Sequence, residues 1–505
     1  MRILHVTNEL APHGSGDVAE HVWAIAREQA QRHEVALFVG FDDPNLPTGY
    51  VYTERRERVT IRFFNRRPLE WTPFERTYIH RDVEVEFKLF LGEHRSDVVH
   101  FHDIETLGVT LMEIVHSLNI KAVFTARDFW PMCARKNRVC RSDGSTCDRI
   151  DLSKCGTCVL GEEWGKIRAA ELAAHEARRP APPETFTQLW KRLYKQRYDA
   201  TRGLTARRPL AMLHATKVSL REAKWKAQEQ LHEKFGDSIE RRMGLFSQRL
   251  RDLDLLIAPS EYVRDQYVSQ FGLQPSKAIY SATGRDVTRL ATLRKSTSSA
   301  LRMGFIGTLA REDGLALLLE AFLPAAASNG RLELHIHVKC ASHERETLEN
   351  LRAQAAGFGM SGRVHWHEDY DAARVHDVLS ELDLLVVPKL GLGNAPSELE
   401  WAAFHGVPIL TSDSGGLADF CRAHSYGRTF ARGDANALTL QLAALGAGDA
   451  LLADYAGKPL KFKTPQYEAE RLVQTYHELL YGKYKAPTKE QQAAERTGPL
   501  AEPVA

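Results

Sequence analysis

Five cysteines crowd one polar, turn-rich stretch: Cys133, Cys140, Cys147, Cys155 and Cys158, the last two spaced as C-x-x-C. Such a pair supplies two thiolates from one knuckle, and two further cysteines complete a tetrahedral shell suited to zinc. Four thiolates close that shell, so the expected role is structural, with no open position for catalysis. The same residues also read as free thiols, or as a loop stapled by disulfides. Cys340 and Cys421 stand apart and read as ordinary buried residues.

His100 and His102 flank Phe101 on an apolar run, and period-two alternation puts both on one face of a strand. Ends of such strands border ligand clefts, which makes His102, Asp103 and Glu105 candidates for handling an acceptor. Two histidines without a third ligand nearby in sequence do not make a metal site, and hydrogen-bonded histidines at a sheet edge are the alternative. Two glycine loops add a different chemistry. Gly14-Ser15-Gly16-Asp17 follows the first apolar run and either makes a tight turn or lets backbone N–H groups approach phosphate. Gly391-Leu392-Gly393-Asn394 precedes a helical pattern and could present N–H groups at a helix start.

The elements that position these residues alternate strand and amphipathic helix, the pattern of parallel sheets with crossover helices. In the first half, strands are expected at 2–7, 34–39, 97–101 and 121–125, with helices around 74–91 and 105–118. From about 164 to 250 the pattern is helical alone, with Trp190, Leu193, Tyr194 and Tyr198 at helical spacing. A strand returns at 254–258, and the hydroxyl-rich run Ser296 to Ser299 reads as a linker edge. A second series then gives strands at 302–306, 332–338, 363–367, 384–388 and 408–411. Helices between them are expected at 315–327, 344–357, 372–382 and 397–405, with a glycine turn at Gly415-Gly416. The fold class is therefore α/β, two Rossmann-like domains facing across a cleft, with a helical insertion and a cysteine-rich loop in the N-terminal half. The expected units are residues 1–160, a basic insertion at 161–250, a return at 251–295, a second domain at 300–460, a crossing helix at 461–484 and a disordered tail at 487–505.

The 505 residues carry a net charge of +2, so no global field points to nucleic acid, which is excluded as a partner. Residues 161–250 differ, with 19 Lys and Arg against 11 Asp and Glu. That excess reads as a solvated helical face or as a peripheral contact with anionic lipid or an acidic partner. No stretch reaches the roughly 20 apolar residues of a membrane span, and MRILHVTNEL lacks the apolar core of a secretion signal. A cytoplasmic location is expected, with peripheral contact at the inner membrane face as an option.

The ordered pieces carry a resemblance. They are MRILHVTNELAPHGSGDVAEHVW, DVVHFHDIETLGV, TARDFWPMCARKNRVCRSDGSTCDRIDLSKCGTC and DLLIAPSEYVRDQYV, then MGFIGTLAREDGLALLLEAF, DLLVVPKLGLGNAPSELEWAAFHGVPILTSDSGG and AERLVQTYHELL. In this order the chain resembles family 4 of the glycosyltransferases, retaining enzymes of the GT-B fold, from Met1 to about Tyr484 outside the insertion. The resemblance implies a nucleotide-sugar as substrate, no catalytic metal, and a glycan or lipid-linked acceptor. It places Gly14 and Gly16 at the donor phosphates and Gly307 in the first loop of a nucleotide-holding C-terminal domain. It also singles out Cys133, Cys147, Cys155 and Cys158, since a similar quartet accompanies the DFWPMC-like segment in family members.

The donor side departs from the family in four places. The histidine expected before Asp128 is Arg127; in the first C-domain loop Thr308 fits the usual Arg or Thr, but the Lys expected before Gly314 is Asp313; the two acidic positions before Gly406-Val407-Pro408 are Gly393 and Trp401; and Lys339-Cys340-Ala341 stands where glycines are usual. A carboxylate at a phosphate site is repulsive by about a kcal/mol or more. Substitutes on hand are Arg127, Arg311 and Lys389 for phosphate charge, and Glu398 or Glu400 for hydroxyl groups. The candidate set is thus Arg127, Asp128, His102 and Glu398 for catalysis, with Gly14, Gly16, Gly307, Thr308, Arg311, Lys389, Gly393, Asn394 and Glu400 for the donor. Two functions follow: glycosyl transfer in surface polysaccharide or glycoconjugate assembly, or a catalytically inactive relative that binds and scaffolds.

Overall fold

A computed structural model describes residues 1–66, 78–158, 239–285 and 300–491, apart from positions 15, 44, 106, 137, 140–143, 153, 156–157, 341–343, 369, 449 and 489–490. The N-terminal domain opens with β1 (Arg2–Thr7), α1 (Asp17–Gln29), β2 (Glu34–Phe41), β3 (Val51–Arg56) and β4 (Val59–Asn65). It continues with α2 (Arg81–His94), β5 (Val98–Phe101), α3 (Thr110–Ser117), β6 (Lys121–Thr125), α4 (Ile239–Arg251), β7 (Leu255–Ala258), α5 (Glu261–Phe271) and β8 (Ala278–Tyr280). Its eight strands lie in the order β3-β4-β2-β1-β5-β6-β7-β8. All neighbours are parallel except the β3–β4 hairpin. Helices cover both faces of the central strands, so β1, β2 and β5 read as unbroken apolar runs with almost every residue buried.

The C-terminal domain comprises β9 (Leu301–Gly307), α6 (Leu315–Ser328), β10 (Leu332–Val338), α7 (Arg345–Gly357), β11 (Val364–His367), α8 (Val375–Ser380) and β12 (Leu384–Val387). It ends with α9 (Ser397–Phe404), β13 (Ile409–Ser412), α10 (Gly415–His424), β14 (Arg428–Phe430), α11 (Ala435–Gly446) and α12 (Ala450–Tyr455). Six parallel strands run in the order β11-β10-β9-β12-β13-β14. The last helix, α13 (Pro465–Leu480), starts on a Thr464 cap and turns Ala469, Leu472, Tyr476 and Leu479 into the N-terminal core beside α1. Two doubly wound sheets thus face each other, as the alternating pattern predicts.

Several local expectations change. The β3–β4 hairpin and β8 are additional strands. The helix expected from 105 begins at Thr110, because Asp103 Oδ1 accepts from the Glu105 N–H at 3.1 Å and holds a turn there. Residues 372–382 divide into a 3₁₀ turn (Ala372–Arg374) and the short α8. Gly415-Gly416 is no free turn but the start of α10, with Gly416 tight against the Gly393 carbonyl. Of the expected insertion, α4 is the described part. Its Phe246 and Leu250 join the N-terminal core, and buried Arg242 donates to the Trp130 and Pro131 carbonyls. Trp190 to Tyr198, Ser296 to Ser299 and nearly all of the tail after Pro487 lie outside the described residues. Among the described residues no helix is long and apolar enough to cross a membrane.

Candidate active site

A cavity of about 400 Å³ lies between the two domains. Its walls carry Asp17 from the start of α1, Arg127 after β6, Arg285 after β8, and Glu398 and Glu400 from the first turn of α9. Arg285 is the hub: its guanidinium pairs with Asp17 on its own domain and with Glu400 on the other, while its plane sits 5.5 Å from the centre of the Trp401 ring. Burial alone would ease its proton off, but Glu400 and then Asp17 outweigh that and hold it fully charged. Burial raises Glu400 despite Arg285, and raises Glu398 as well.

Behind this hub, Arg127 meets His21 Nδ1, and His21 Nε2 meets Glu468 Oε2 at 2.9 Å. Glu468 belongs to α13, so the crossing helix contributes a charge to the cleft floor. Burial opposes its ionisation, yet Lys463 and then His21 hold the carboxyl well below the ordinary range. Arg127 itself is lowered by burial, against the pull of Asp17 and Glu468. Its Nε is buried and has no hydrogen-bond partner.

The glycine loop faces a second group of charges. A Cβ on Gly14 would fall 2.5 Å from Glu9 Oε2, so this glycine is required by the close passage of the Glu9 side chain. Gly16 is extended and caps α1. Burial, with Asp103 next, raises Glu9. Lys136 binds Glu105 and lies 3.6 Å from Asp128. Asp128 is pushed up to about 6 by burial, against the attraction of Lys136. Its Oδ1 accepts from the Trp130 N–H at 2.8 Å, so this carboxyl is anchored as well as partly protonated near neutrality.

Other predicted donor residues are engaged within the protein. Thr308 donates its N–H (2.9 Å) and its hydroxyl (2.6 Å) to Asp313 Oδ2, and Lys389 Nζ lies 3.4 Å from Asp313 Oδ1. The Asp313 carboxylate therefore neutralises the Lys389 charge and occupies the Thr308 donors. Gly307 abuts the Phe305 ring, and the Arg311 guanidinium packs against Gly144 of the cysteine-rich segment. The N–H groups of Leu390 and Gly391 are spent on the Glu312 carbonyl, at 2.8 and 3.3 Å. Asn394 is a clasp between domains: it donates to the Arg127 carbonyl and accepts from Ser260 Oγ at 2.8 Å. The Gly393 carbonyl receives the Gly416 N–H at 2.8 Å.

His102 is corrected most. It is 2% exposed and is not among the residues that line the interdomain cavity. The third ligand not visible near it in sequence is His5, whose Nδ1 lies 2.9 Å from His102 Nε2, and one ring nitrogen from each of His5, His100 and His102 falls within 4.8 Å of the others. These nitrogens are largely used: His5 with Gln29 at 2.8 Å, and His100 with Tyr476 and with Thr125 at 2.7 Å. His5 and His102 share one hydrogen bond, while His100, whose ring lies against that of His102, is held separately by Tyr476 of α13 and by Thr125. Burial drives all three histidines to low pKa, His5 to about 4.

Cys133, Cys147, Cys155 and Cys158 are half-buried thiols, none of them in a disulfide. Burial and then Cys133, Cys147 and Cys158 push Cys155 up to about 12. Cys140 lies outside the described residues. The functional residues missed by sequence reading are Asp17, His21, Arg285, Lys463 and Glu468. Asp17 adjoins the glycine loop; His21 and Arg285 carry no local signal, since their partners lie 100 or more positions away, and Lys463 and Glu468, neighbours in sequence, meet His21 only once the crossing helix is docked.

With two facing Rossmann-like domains and this cleft, the relatives can be placed. Residues 18–150 match the description Glycosyltransferase Family 4, and residues 300–447 match Glycosyl transferases group 1, together more than half of the chain. The chain belongs to glycosyltransferase family 4. Glycogen synthase of Alkalilimnicola ehrlichii is 32% identical over 117 residues, so the match spans 23% of this chain and 23% of that enzyme. Sucrose-phosphate synthase from Thermosynechococcus elongatus superimposes with a TM-score of 0.54 at 14% identity, over 95% of this chain and 97% of that one. HepE of Anabaena, solved with UDP and glucose, gives 0.52 at 10% identity, over 95% and 99%. At such identities these structures show the shared GT-B fold of the family 4 chain.

Proposed function

We propose that this family 4 protein transfers a sugar from a nucleotide-sugar donor to a glycan, lipid-linked or protein acceptor in surface polysaccharide or glycoconjugate assembly. One observation carries the reading: Arg127 lines the interdomain cavity with Arg285 and keeps a buried Nε without a partner. Both guanidinium groups bring positive charge to the cavity wall, where an anionic oxygen would be attracted. In the transfer, the bond from the anomeric carbon to the diphosphate oxygen breaks and a bond to the acceptor hydroxyl oxygen forms. The hydroxyl proton passes to the departing diphosphate. Arg127 would stabilise the charge that develops there, as a fixed donor in a partly dry site. The presence of UDP and glucose in HepE suits the donor class. Positive charge at 161–250 suits a lipid-linked or acidic acceptor.

The test is hydrolysis and thermal stabilisation with a panel of nucleoside diphosphates and their sugars. Stabilisation by one of them, with slow hydrolysis of its sugar lost in Arg127→Ala, is expected; no response to any at millimolar concentration overturns the enzyme. A second reading, a silent relative that binds a glycan or protein partner, is favoured by the Asp313 carboxylate sitting on Thr308 and Lys389. Binding without hydrolysis would select it.

We also infer that Cys133, Cys147, Cys155 and Cys158 hold one structural zinc. Four half-buried thiols, none in a disulfide, match its donor chemistry, and the cation would offset the charge repulsion that adds to burial in raising Cys155. Metal content below about a tenth of an equivalent in purified protein would end this assignment.

A further inference from the structure

The edge of the C-terminal sheet carries a ladder of histidines that the cleft does not use. Leu332, Leu334, Ile336 and Val338 of β10 face the hydrophobic core, and Val364 and Trp366 of β11 pack with them. Alternation turns Glu333, His335 and His337 to the opposite face, and the parallel register sets His365 beside His335 and His367 beside His337. The rings stack: His335 on His365 at 4.6 Å, and His337 on His367 at 4.2 Å.

Within this ladder, His335 is placed as a ligand. Its Nδ1 lies 3.4 Å from His367 Nε2, which fixes the ring and directs Nε2 the other way. That Nε2 is buried, has no hydrogen-bond partner and sits 3.9 Å from Glu333 Oε2. One donor atom from each of Glu333, His335 and His365 lies within 4.8 Å of the other two.

We propose that Glu333, His335 and His365 form a site for a divalent transition metal of the zinc type, on the face of β10 and β11 opposite the core. Two imidazoles and a carboxylate are three protein ligands, and a water completes a tetrahedron. Imidazole favours zinc, copper and nickel over calcium or magnesium. Burial, followed by repulsion from His365 and His367, holds His335 at about 4, so the ring is neutral and ready to ligate at physiological pH. The His367 contact orients the ligand from outside the coordination shell, and His337 supports His367 by stacking. The metal would tie the edge strand β11 to β10, a strand otherwise paired on one side only.

The test uses the full chain stripped of metal and titrated with Zn²⁺ against a chromophoric chelator. Wild type should bind one equivalent more than His365→Gln, and Cys155→Ser should keep that equivalent. His365 is half-buried, so His365→Gln should fold, checked by an unchanged melting temperature without metal; His335→Gln should lose the same equivalent. With Co²⁺, this equivalent should give weak visible bands without sulfur charge transfer, in contrast to a thiolate site. Equal zinc stoichiometry and affinity in wild type, His365→Gln and His335→Gln overturns the proposal, whatever the cysteines bind.

Discussion

Arg285 and Glu400 form an ion pair across the interdomain cleft, from the loop after β8 to the first turn of α9. Asp17 at the head of α1 shares the same guanidinium, so one cation holds two carboxylates from both domains. Removing it leaves Glu400 buried and unpaired, which costs about 3–5 kcal/mol. Arg285→Ala should lower unfolding stability by that order in urea titration, whereas Glu400→Gln should cost less because an amide keeps one hydrogen bond. A loss under about 1 kcal/mol in Arg285→Ala would show that water relaxes into the site.

Glu468 gives an acid limb. Its carboxyl is held low by Lys463 and His21 against burial, so the unfolded chain binds its proton at higher pH than the folded one. The stability it contributes is complete above the ordinary value of 4.5 and is lost as pH falls below it. Glu468→Gln should flatten the fall in melting temperature between pH 5 and pH 3, while lowering stability at pH 7.

The three buried histidines act in a separate window. His5, His100 and His102 have folded values below 6.5, so stability present above 6.5 drains away as pH falls through 6 and 5. For His5, at about 4, the contribution is on the order of 3 kcal/mol. Urea unfolding at pH 7.5 and 5.5 should reveal this loss, and His102→Gln should reduce the difference between the two. An unchanged difference would show that His102 is not held neutral by the fold.

The zinc assignment predicts a local loss. Cys155→Ser, or extraction with a strong chelator, should release one equivalent and lower the melting temperature, as expected when metal binding energy is folding energy. Identical melting with and without chelator would argue for thiols without metal.

How far the sequence reached is visible in particular elements. The runs Arg2–Thr7 and Lys121–Thr125 match observed strands end to end, since parallel strands covered on both faces are mostly apolar, and Leu332–Val338 does so through the alternation of its apolar residues with Glu333, His335 and His337. The strand at Val59–Asn65 was readable in principle from Val59, Ile61 and Phe63, but its short alternation yielded to the surrounding charges. Of the residues singled out in the sequence, Arg127, Asn394, Glu398 and Glu400 line the interdomain cavity. Its hub was not among them, because Arg285 meets Asp17 and Glu400 only after two domains and a crossing helix are assembled. Asn394 illustrates the same limit: its position before α9 suggests phosphate, whereas its side chain clasps Ser260 and Arg127.

Asp313 is where sequence and structure combine into the sharpest expectation. By family pattern its position carries an ammonium, and in the fold its carboxylate occupies the Thr308 donors and neutralises Lys389. Asp313→Asn keeps an oxygen for the Thr308 N–H while freeing the Lys389 charge. If this loop borders the donor diphosphate, as the proposed function requires, removing one negative charge and releasing one positive charge should tighten nucleoside diphosphate binding by about tenfold, roughly 1.4 kcal/mol. The gain should shrink as salt is raised, because the loop is partly open to solvent. Isothermal titration at two salt concentrations checks both. Unchanged affinity in Asp313→Asn, alongside measurable binding by wild type, would place the diphosphate at Arg127 and away from Lys389.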